Sequence, residues 1–134
     1  MNEEKNTIGW LLYDMISKRI LLHRRDHEAK ESPDCWDCFG GKVENGETAY
    51  EGFLRELCEE LGITVDKNKV TELALANAGT LYFIPFSMKD TCKLRLGEGA
   101  GFAWLSIDYA LRLDDITDYA KKIIVIFQAS KSKF

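Results

Sequence analysis

Short apolar runs separated by polar turns predict strands in the first third of the chain. One run covers residues 8–13 and a second covers residues 19–23, and Asp14, Ser17 and Lys18 could form a turn between them. The polar segment 26–34 is predicted to be an exposed loop. A brief strand is predicted over residues 36–39, ended by Gly40 and Gly41.

The next segment carries the start and stop signals of a helix. Thr48 and Glu51 form a capping box, in which each side chain satisfies a free backbone donor of the first turn. Gly62 stands where a left-handed helix end is expected. Apolar residues recur between these signals at every fourth position, at Ala49, Phe53, Leu57 and Leu61.

The remainder of the chain alternates between the two kinds of pattern. Residues 71–86 and 91–105 read as β structure, and residues 108–113 read as helix. A second helix is predicted from about Thr117, although residues 121–127 are β-branched enough for a strand to be the alternative. Strands before, between and after helices predict a mixed α/β sandwich, which we interpret as one domain over residues 1–134.

Composition narrows the class of protein. The chain has 134 residues, 46% of them apolar and 30% charged, which is typical of a globular protein and not of a disordered one. No apolar run reaches the ~18 residues that span a bilayer, and no signal-peptide pattern begins the sequence, so we expect a cytoplasmic protein without a membrane partner. The net charge of -4 argues against binding of a nucleic-acid polymer.

Four cysteines raise a separate possibility. Cys35 and Cys38 have a spacing seen in zinc and redox sites, but the two other cysteines, Cys58 and Cys92, do not form a second pair. We therefore interpret all four as reduced, mostly packed thiols, with a zinc or redox protein as a weaker hypothesis.

Three glutamates of the predicted helix share one stripe. At ~100° per residue, Glu56, Glu59 and Glu60 fall within an arc of ~100°, and Gly52 falls in the same arc one turn earlier. Like charges three and four residues apart each cost a few tenths of a kcal/mol, and glycine costs ~1 kcal/mol relative to alanine. A solvated acidic face is the simplest interpretation.

A divalent cation is the alternative explanation for this stripe. Carboxylate oxygens suit Mg²⁺ or Mn²⁺, and Mg²⁺ commonly bridges carboxylates to substrate phosphates. Gly52 would leave room for waters and phosphates, and Gly41 would allow its backbone carbonyl to approach the ion. Arg55 lies beside the stripe and could orient Glu47.

The segment from Gly41 to Ile63 resembles the Nudix box. That motif is a glycine, five residues, a glutamate, seven residues, and then Arg-Glu-aliphatic-any-Glu-Glu-any-Gly-aliphatic. Every position matches, namely Gly41, Glu47, Arg55, Glu56, Leu57, Glu59, Glu60, Gly62 and Ile63. The predicted flanking strands and the length of the chain also resemble this family over the whole chain, but they are less specific than the motif.

The resemblance implies an α/β/α sandwich with a mixed sheet. It also implies metal-dependent hydrolysis of a nucleoside diphosphate linked to another group, by attack of water on phosphorus. Glu59, Glu60 and the Gly41 carbonyl would bind Mg²⁺, or Mn²⁺ in its place, with Glu56 as a further ligand or the base. Glu47 and Arg55 would brace the loop against the helix. Glu98 is the candidate for an additional ligand or second base, with a surface turn as the alternative.

Substrate contacts are expected from three basic residues. Arg24 and Arg25 end the second strand, and Lys42 follows the double glycine, so each could meet a phosphate or be an exposed cation. His23 and His27 are interpreted as strand and loop residues, not ligands.

One departure from the family pattern keeps the substrate open. Relatives that hydrolyse oxidised guanine nucleotides usually have a proline directly before the double glycine. In this sequence Phe39 stands before Gly40 and Gly41. A nucleotide-binding or sensing module without catalysis is the alternative function, and we expect a monomer or a homodimer.

Overall fold

A computed structural model describes residues 6–75, 79–97 and 99–130. Its strands are β1 (Thr7–Asp14), β2 (Arg19–Arg24), β3 (Trp36–Asp37), β4 (Phe39–Lys42), β5 (Thr71–Leu75), β6 (Gly79–Pro85) and β7 (Gly101–Ser106). Its α-helices are α1 (Ala49–Leu61), α2 (Ile107–Arg112) and α3 (Asp118–Ala129). Short 3₁₀ helices cover Lys67–Lys69 and Met88–Lys93. No helix in these described ranges is long and apolar enough to cross a membrane.

β1 is the strand around which the sheet is organised. One edge pairs in parallel with β6, which pairs with β5 in turn. The other edge is divided, because β4 pairs with its first half and β2 with its last two residues, both antiparallel. β2 also pairs with β3 and β7. The segment 36–42 therefore crosses from β2 to β1, changing partner at Cys38.

Helices cover both faces of this mixed sheet. Alternate residues of β1 point to opposite faces, as the period of a strand requires. Ile8, Trp10 and Leu12 pack in the core beneath α1, and Leu11 and Tyr13 pack in the core beneath α2 and α3. The predicted α/β/α sandwich is confirmed.

The predicted boundaries of α1 are confirmed. Thr48 Oγ1 accepts a hydrogen bond from the backbone N–H of Glu51 at 3.1 Å, and Glu51 Oε1 accepts one from the N–H of Thr48 at 2.8 Å. Gly62 ends the helix with a φ of 69°, a left-handed conformation that favours glycine. Phe53, Leu57 and Leu61 are completely buried, which fixes the face that α1 turns toward the sheet.

Two predicted strand boundaries are wrong. The strand predicted over residues 36–39 does not end at the double glycine, because β4 includes Gly40 and Gly41 and pairs them with Gly9 and Ile8. Glycine permits this approach, since a Cβ on Gly40 would lie 2.6 Å from the Ile8 carbonyl oxygen. The second β stretch begins only at Gly101, because residues 88–93 form a 3₁₀ helix.

The open choice at residues 121–127 is resolved as helix. Thr117 caps α3 by accepting a hydrogen bond from the N–H of Ala120 at 3.1 Å. Ile123, Ile124 and Phe127 are buried against the sheet. Burial at helical spacing and a good cap outweigh the β propensity of these residues.

Removal of the Thr48 side chain should destabilise the fold through the N-terminus of α1. We expect Thr48→Ala to lower the free energy of unfolding by about 1 kcal/mol, because the N–H of Glu51 loses its acceptor. Urea denaturation would measure the change. Thr48→Ser keeps the hydroxyl and should stay close to wild type; an equal loss in both variants would show that the cap is not the cause.

Candidate active site

The three glutamates of the predicted stripe differ in their exposure. The side chain of Glu59 is 58% exposed, that of Glu56 is 17% exposed, and Glu60 is buried. The stripe therefore runs from solvent into the structure along one side of α1. The interpretation as a fully solvated acidic face is wrong, because Glu60 lies inside.

Arg55 contacts Glu47 in the loop before α1 and two glutamates of the acidic stripe. Its Nε and Nη2 atoms donate to Glu47 Oε2 and Oε1 at 2.8 and 3.1 Å, a bidentate pair. Its Nη1 donates to Glu56 Oε1 at 3.0 Å and to Glu59 Oε2 at 3.4 Å. The repulsion expected between Glu56 and Glu59 is thus offset by a cation that touches both.

The Arg55–Glu47 pair also ties the loop before α1 to strand β4. Arg55 Nη2 donates to the Lys42 carbonyl at 3.0 Å, and Glu47 Oε1 accepts from the N–H of Glu44 at 2.9 Å. The hydrogen bonds from Arg55 hold the pKa of the Glu47 carboxyl below its usual range, and the hydrogen bond to Glu47 raises the pKa of Arg55. Both residues therefore stay charged where they join the loop to the helix.

Gly41 brings the backbone of β4 against Glu56. A Cβ at position 41 would lie 2.5 Å from the Glu56 carboxyl carbon, so a side chain there would displace this carboxylate. The expectation for Gly52 is wrong in detail. Its Cβ position faces Val43 and Glu47 Oε1 at 3.3–3.5 Å, so the glycine makes room for the loop before α1 and not for a ligand.

The segment 94–97 closes the C-terminal end of α1. The N–H groups of Arg95 and Gly97 donate to the carbonyls of Leu61 and Glu60 at 3.0 and 2.7 Å. A Cβ on Gly97 would collide with the Glu59 carbonyl oxygen. This segment satisfies two helix-end acceptors beside the acidic stripe. Glu98, the predicted additional ligand, lies outside the described residues.

A cleft of about 720 Å³ begins at this stripe. Glu60 of α1 and the glycines of β4 line it at one side, and Tyr119 and Lys122 of α3 line it at another. Of the three predicted phosphate contacts, Arg25 and Lys42 line the cleft, whereas Arg24 is exposed at the end of β2 and is not part of its wall.

The charge of Arg25 is partly used by the protein itself. Its Nη1 lies 3.4 Å from Asp37 Oδ2, and its Nε donates to the Glu31 carbonyl at 2.8 Å. Asp37 is buried and also accepts a hydrogen bond from Thr117 Oγ1 at 2.6 Å. Neither Asp37 nor Tyr119 was singled out from the sequence, since the nearby signal was only a helix predicted from about Thr117.

The two histidines behave as strand and loop residues. His23 is buried, with Nε2 3.2 Å from the Cys38 carbonyl oxygen and its ring stacked on Phe39. His27 is exposed, and its hydrogen bond with Asp34 at 2.7 Å raises its pKa. The expectation that the cysteines are mostly packed is wrong, because only Cys38 of the four is buried. Burial raises the pKa of the Cys38 thiol, so it is unsuited to reaction as a thiolate.

The donor set fits a hard divalent cation in its chemistry. Three carboxylates on one stripe and a glycine backbone packed against one of them are oxygen ligands of the kind that Mg²⁺ takes. Within the described ranges, no three His, Cys, Asp or Glu side chains already converge on a metal position. Arg55 contacts two of the three carboxylates.

Comparison with known proteins supports the family resemblance for most of the chain. A profile of the NUDIX domain matches residues 5–124. Dihydroneopterin triphosphate diphosphatase of Escherichia coli is 36% identical over 61 residues, which cover 46% of this chain and only 38% of that enzyme.

Solved structures share the fold. The MutT protein of Methanosarcina mazei is 25% identical, with a TM-score of 0.64 over 93% of each chain. The NUDIX domain of Shewanella oneidensis NrtR, solved with ADP ribose, is 16% identical, with a TM-score of 0.68 over 96% of this chain and 87% of that one.

The Glu47–Arg55 pair should make stability depend on pH. A carboxyl whose pKa is lowered on folding stabilises the protein above its unfolded pKa, and this stabilisation is lost as pH falls through the folded value. We expect Glu47→Gln to melt below wild type at pH 7, with the gap closing as pH falls below the ordinary value of 4.5. Thermal unfolding at a series of pH values measures this.

The matched control is Glu31→Gln, which removes an exposed carboxylate away from Arg55. This variant should follow the wild-type curve throughout. A gap between Glu47→Gln and wild type that stays constant down to pH 3 would contradict the ion-pair assignment.

Proposed function

This chain belongs to the Nudix family, and from that premise we propose that it is a divalent-metal-dependent hydrolase of phosphoanhydride bonds. The proposed substrate is a nucleoside diphosphate linked to another group, such as a nucleoside triphosphate. The observation that carries the proposal is the contact of Arg55 with Glu47, Glu56 and Glu59, which holds the acidic stripe of α1 against β4 at the mouth of the cleft.

Glu59, Glu60, Glu56 and the Gly41 carbonyl are the groups that would hold Mg²⁺, or Mn²⁺ in its place, with Glu98 as a further ligand. A bound cation would neutralise phosphate charge, which a protein of net charge -4 otherwise repels, and would activate water for attack. The position of both carboxylates supports this role, because Glu56 is partly buried and held by Arg55, and Glu60 is buried at the wall of the cleft.

Glu56 is the first candidate for the general base. Its carboxylate is held on both sides, by Arg55 Nη1 at 3.0 Å and by the close backbone of Gly41. A base fixed in this way can take a proton from water without first losing side-chain freedom. Glu98 is the second candidate.

The phosphates would be bound by cations at the wall of the cleft. Lys42 follows Gly41 directly and is exposed, so its ammonium group can reach a ligand beside the stripe. Arg25 lines the same cleft but shares its charge with Asp37. Arg24 lies outside the wall and is a weaker candidate for a phosphate contact. The cleft volume of about 720 Å³ is in the range that small-molecule ligands occupy.

The test is a screen of nucleoside triphosphates, dinucleoside polyphosphates and nucleotide sugars with Mg²⁺ and Mn²⁺, with products identified by mass spectrometry. Reactions in ¹⁸O-labelled water would show which phosphorus is attacked. A metal-dependent phosphate product supports the proposal. Saturable nucleotide binding without any product would favour the sensing module instead. If the protein neither binds nor hydrolyses any of these compounds, both hypotheses are overturned.

Removal of one candidate ligand should abolish most of the activity and leave the fold intact. We expect Glu59→Gln to lower metal-dependent turnover by about 100-fold or more, since a charge that acts directly at the reacting centre is lost. Its melting temperature without metal should change little, because the side chain is largely exposed. Steady-state kinetics and thermal unfolding measure the two effects.

Glu51→Gln is the matched control on the same helix. Glutamine also serves at this position of a capping box, and the residue lies outside the acidic stripe. Turnover should therefore stay near the wild-type value. Full activity in Glu59→Gln would refute its assignment as a ligand.

A further inference from the structure

Tyr119 of α3 extends toward the glycine-lined floor of the cleft. The residue as a whole is 39% exposed, but its hydroxyl lies at the inner end. A Cβ added to Gly9 would collide with the Tyr119 Oη atom, and a Cβ added to Gly40 would lie 3.6 Å from it. Glycines in two neighbouring strands therefore provide the space that the hydroxyl occupies.

This hydroxyl is available to a ligand. Among residues 6–75, 79–97 and 99–130, it forms no hydrogen bond, and only burial and the nearby groups of Cys38 and Asp37 act on its ionisation. Burial raises the pKa of Tyr119, so the phenol stays neutral and keeps its proton to donate. A buried polar group of this kind gains most when a ligand supplies the missing acceptor.

The position of Tyr119 is fixed by the start of its helix. Thr117, two residues earlier, donates through Oγ1 to Asp37 Oδ1 at 2.6 Å and through its backbone N–H to the Trp36 carbonyl at 3.0 Å. The N–H of Trp36 donates to the Asp115 carbonyl at 2.7 Å. β3 and the N-terminus of α3 are thus joined next to the cleft, which limits the movement of Tyr119.

The surroundings of the hydroxyl favour phosphate as its partner. Gly40 directly precedes Gly41 and Lys42, the proposed metal and phosphate contacts. Lys122 lies three residues after Tyr119, on the same face of α3, and also lines the cleft. A neutral donor in a cleft that two lysines also line matches a phosphate oxygen in both charge and hydrogen bonding.

We propose that Tyr119 is a substrate-binding residue that donates a hydrogen bond from its hydroxyl to a phosphate oxygen of the nucleotide. This inference rests on the proposed function and adds α3 to the substrate site as a second wall facing α1. Because a phosphate is common to every nucleotide, the contribution of Tyr119 should not depend on the base.

The test compares Tyr119→Phe with Tyr109→Phe in the metal-loaded enzyme. Tyr109 is an exposed tyrosine of α2 that does not line the cleft, so it controls for the loss of a hydroxyl. We expect Tyr119→Phe to raise KM about three- to tenfold, the effect of one neutral hydrogen bond, with kcat within twofold of wild type. The same factor should appear for purine and pyrimidine substrates.

Several outcomes would overturn the inference. They are an unchanged KM, an equal rise in Tyr109→Phe, a loss confined to kcat, or a factor that differs between bases. Equal melting temperatures of wild type and Tyr119→Phe would confirm that the packing of α3 is intact, and a lower one would assign the residue a structural role instead.

Failure of the proposed function can be told apart from failure of this inference. If wild type hydrolyses none of the screened compounds, the proposed function fails, and binding is measured instead by calorimetric titration with Mg²⁺ and inorganic tripolyphosphate. A Kd three- to tenfold higher in Tyr119→Phe than in wild type would still support the phosphate contact. Equal affinities, or no binding to wild type, would refute it.

Discussion

The bidentate ion pair between Arg55 and Glu47 is the interaction on which the site depends. It joins the end of the loop before α1 to the middle of the helix, and the same guanidinium reaches Glu56, Glu59 and the carbonyl of Lys42. One cation therefore aligns the helix, the loop and strand β4 with one another. Because guanidinium has five donors in a fixed plane, lysine could not make this set of contacts. The acidic stripe owes its orientation to this pair as much as to the helix.

Close backbone approach is the second constraint, and it explains the glycines of β4. Gly41 allows the strand to touch the Glu56 carboxylate, and Gly40 allows it to pair tightly with β1. Since the segment that contains them crosses from β2 to β1, the strands on that side of the sheet diverge and leave room for the cleft. Glu60 of α1 and Tyr119 of α3 both line this opening, from helices on opposite faces of the sheet.

The features that could be predicted from sequence are those set by nearby residues. The ends of α1 and its buried face follow from spacings within one short motif, and the structure has them as predicted. The bracing by Arg55 was implied by the resemblance of that motif to the Nudix box, and the structure places Arg55 in contact with Glu47. The contact between Asp37 and Thr117 joins residues far apart in the chain, so no local pattern announces it. The seat of Tyr119 on Gly9 is equally non-local. The role given to Gly52 was wrong because a helical wheel shows which side a residue faces but not which loop already fills that side.

The parallel edge of β1 also bears on the order in which the protein can assemble. Its parallel partner β6 aligns Ile8 with Thr80, and no short hairpin can join strands that run in the same direction. During synthesis, β1, β4 and α1 leave the ribosome well before β6 does. The edge of β1 that pairs with β6 therefore stays unpaired until β6 has been synthesised. Contacts this distant in sequence slow folding, because a long stretch of chain must be ordered before they form. Until then, the apolar surface of β1 is accessible to chaperones and to other nascent chains.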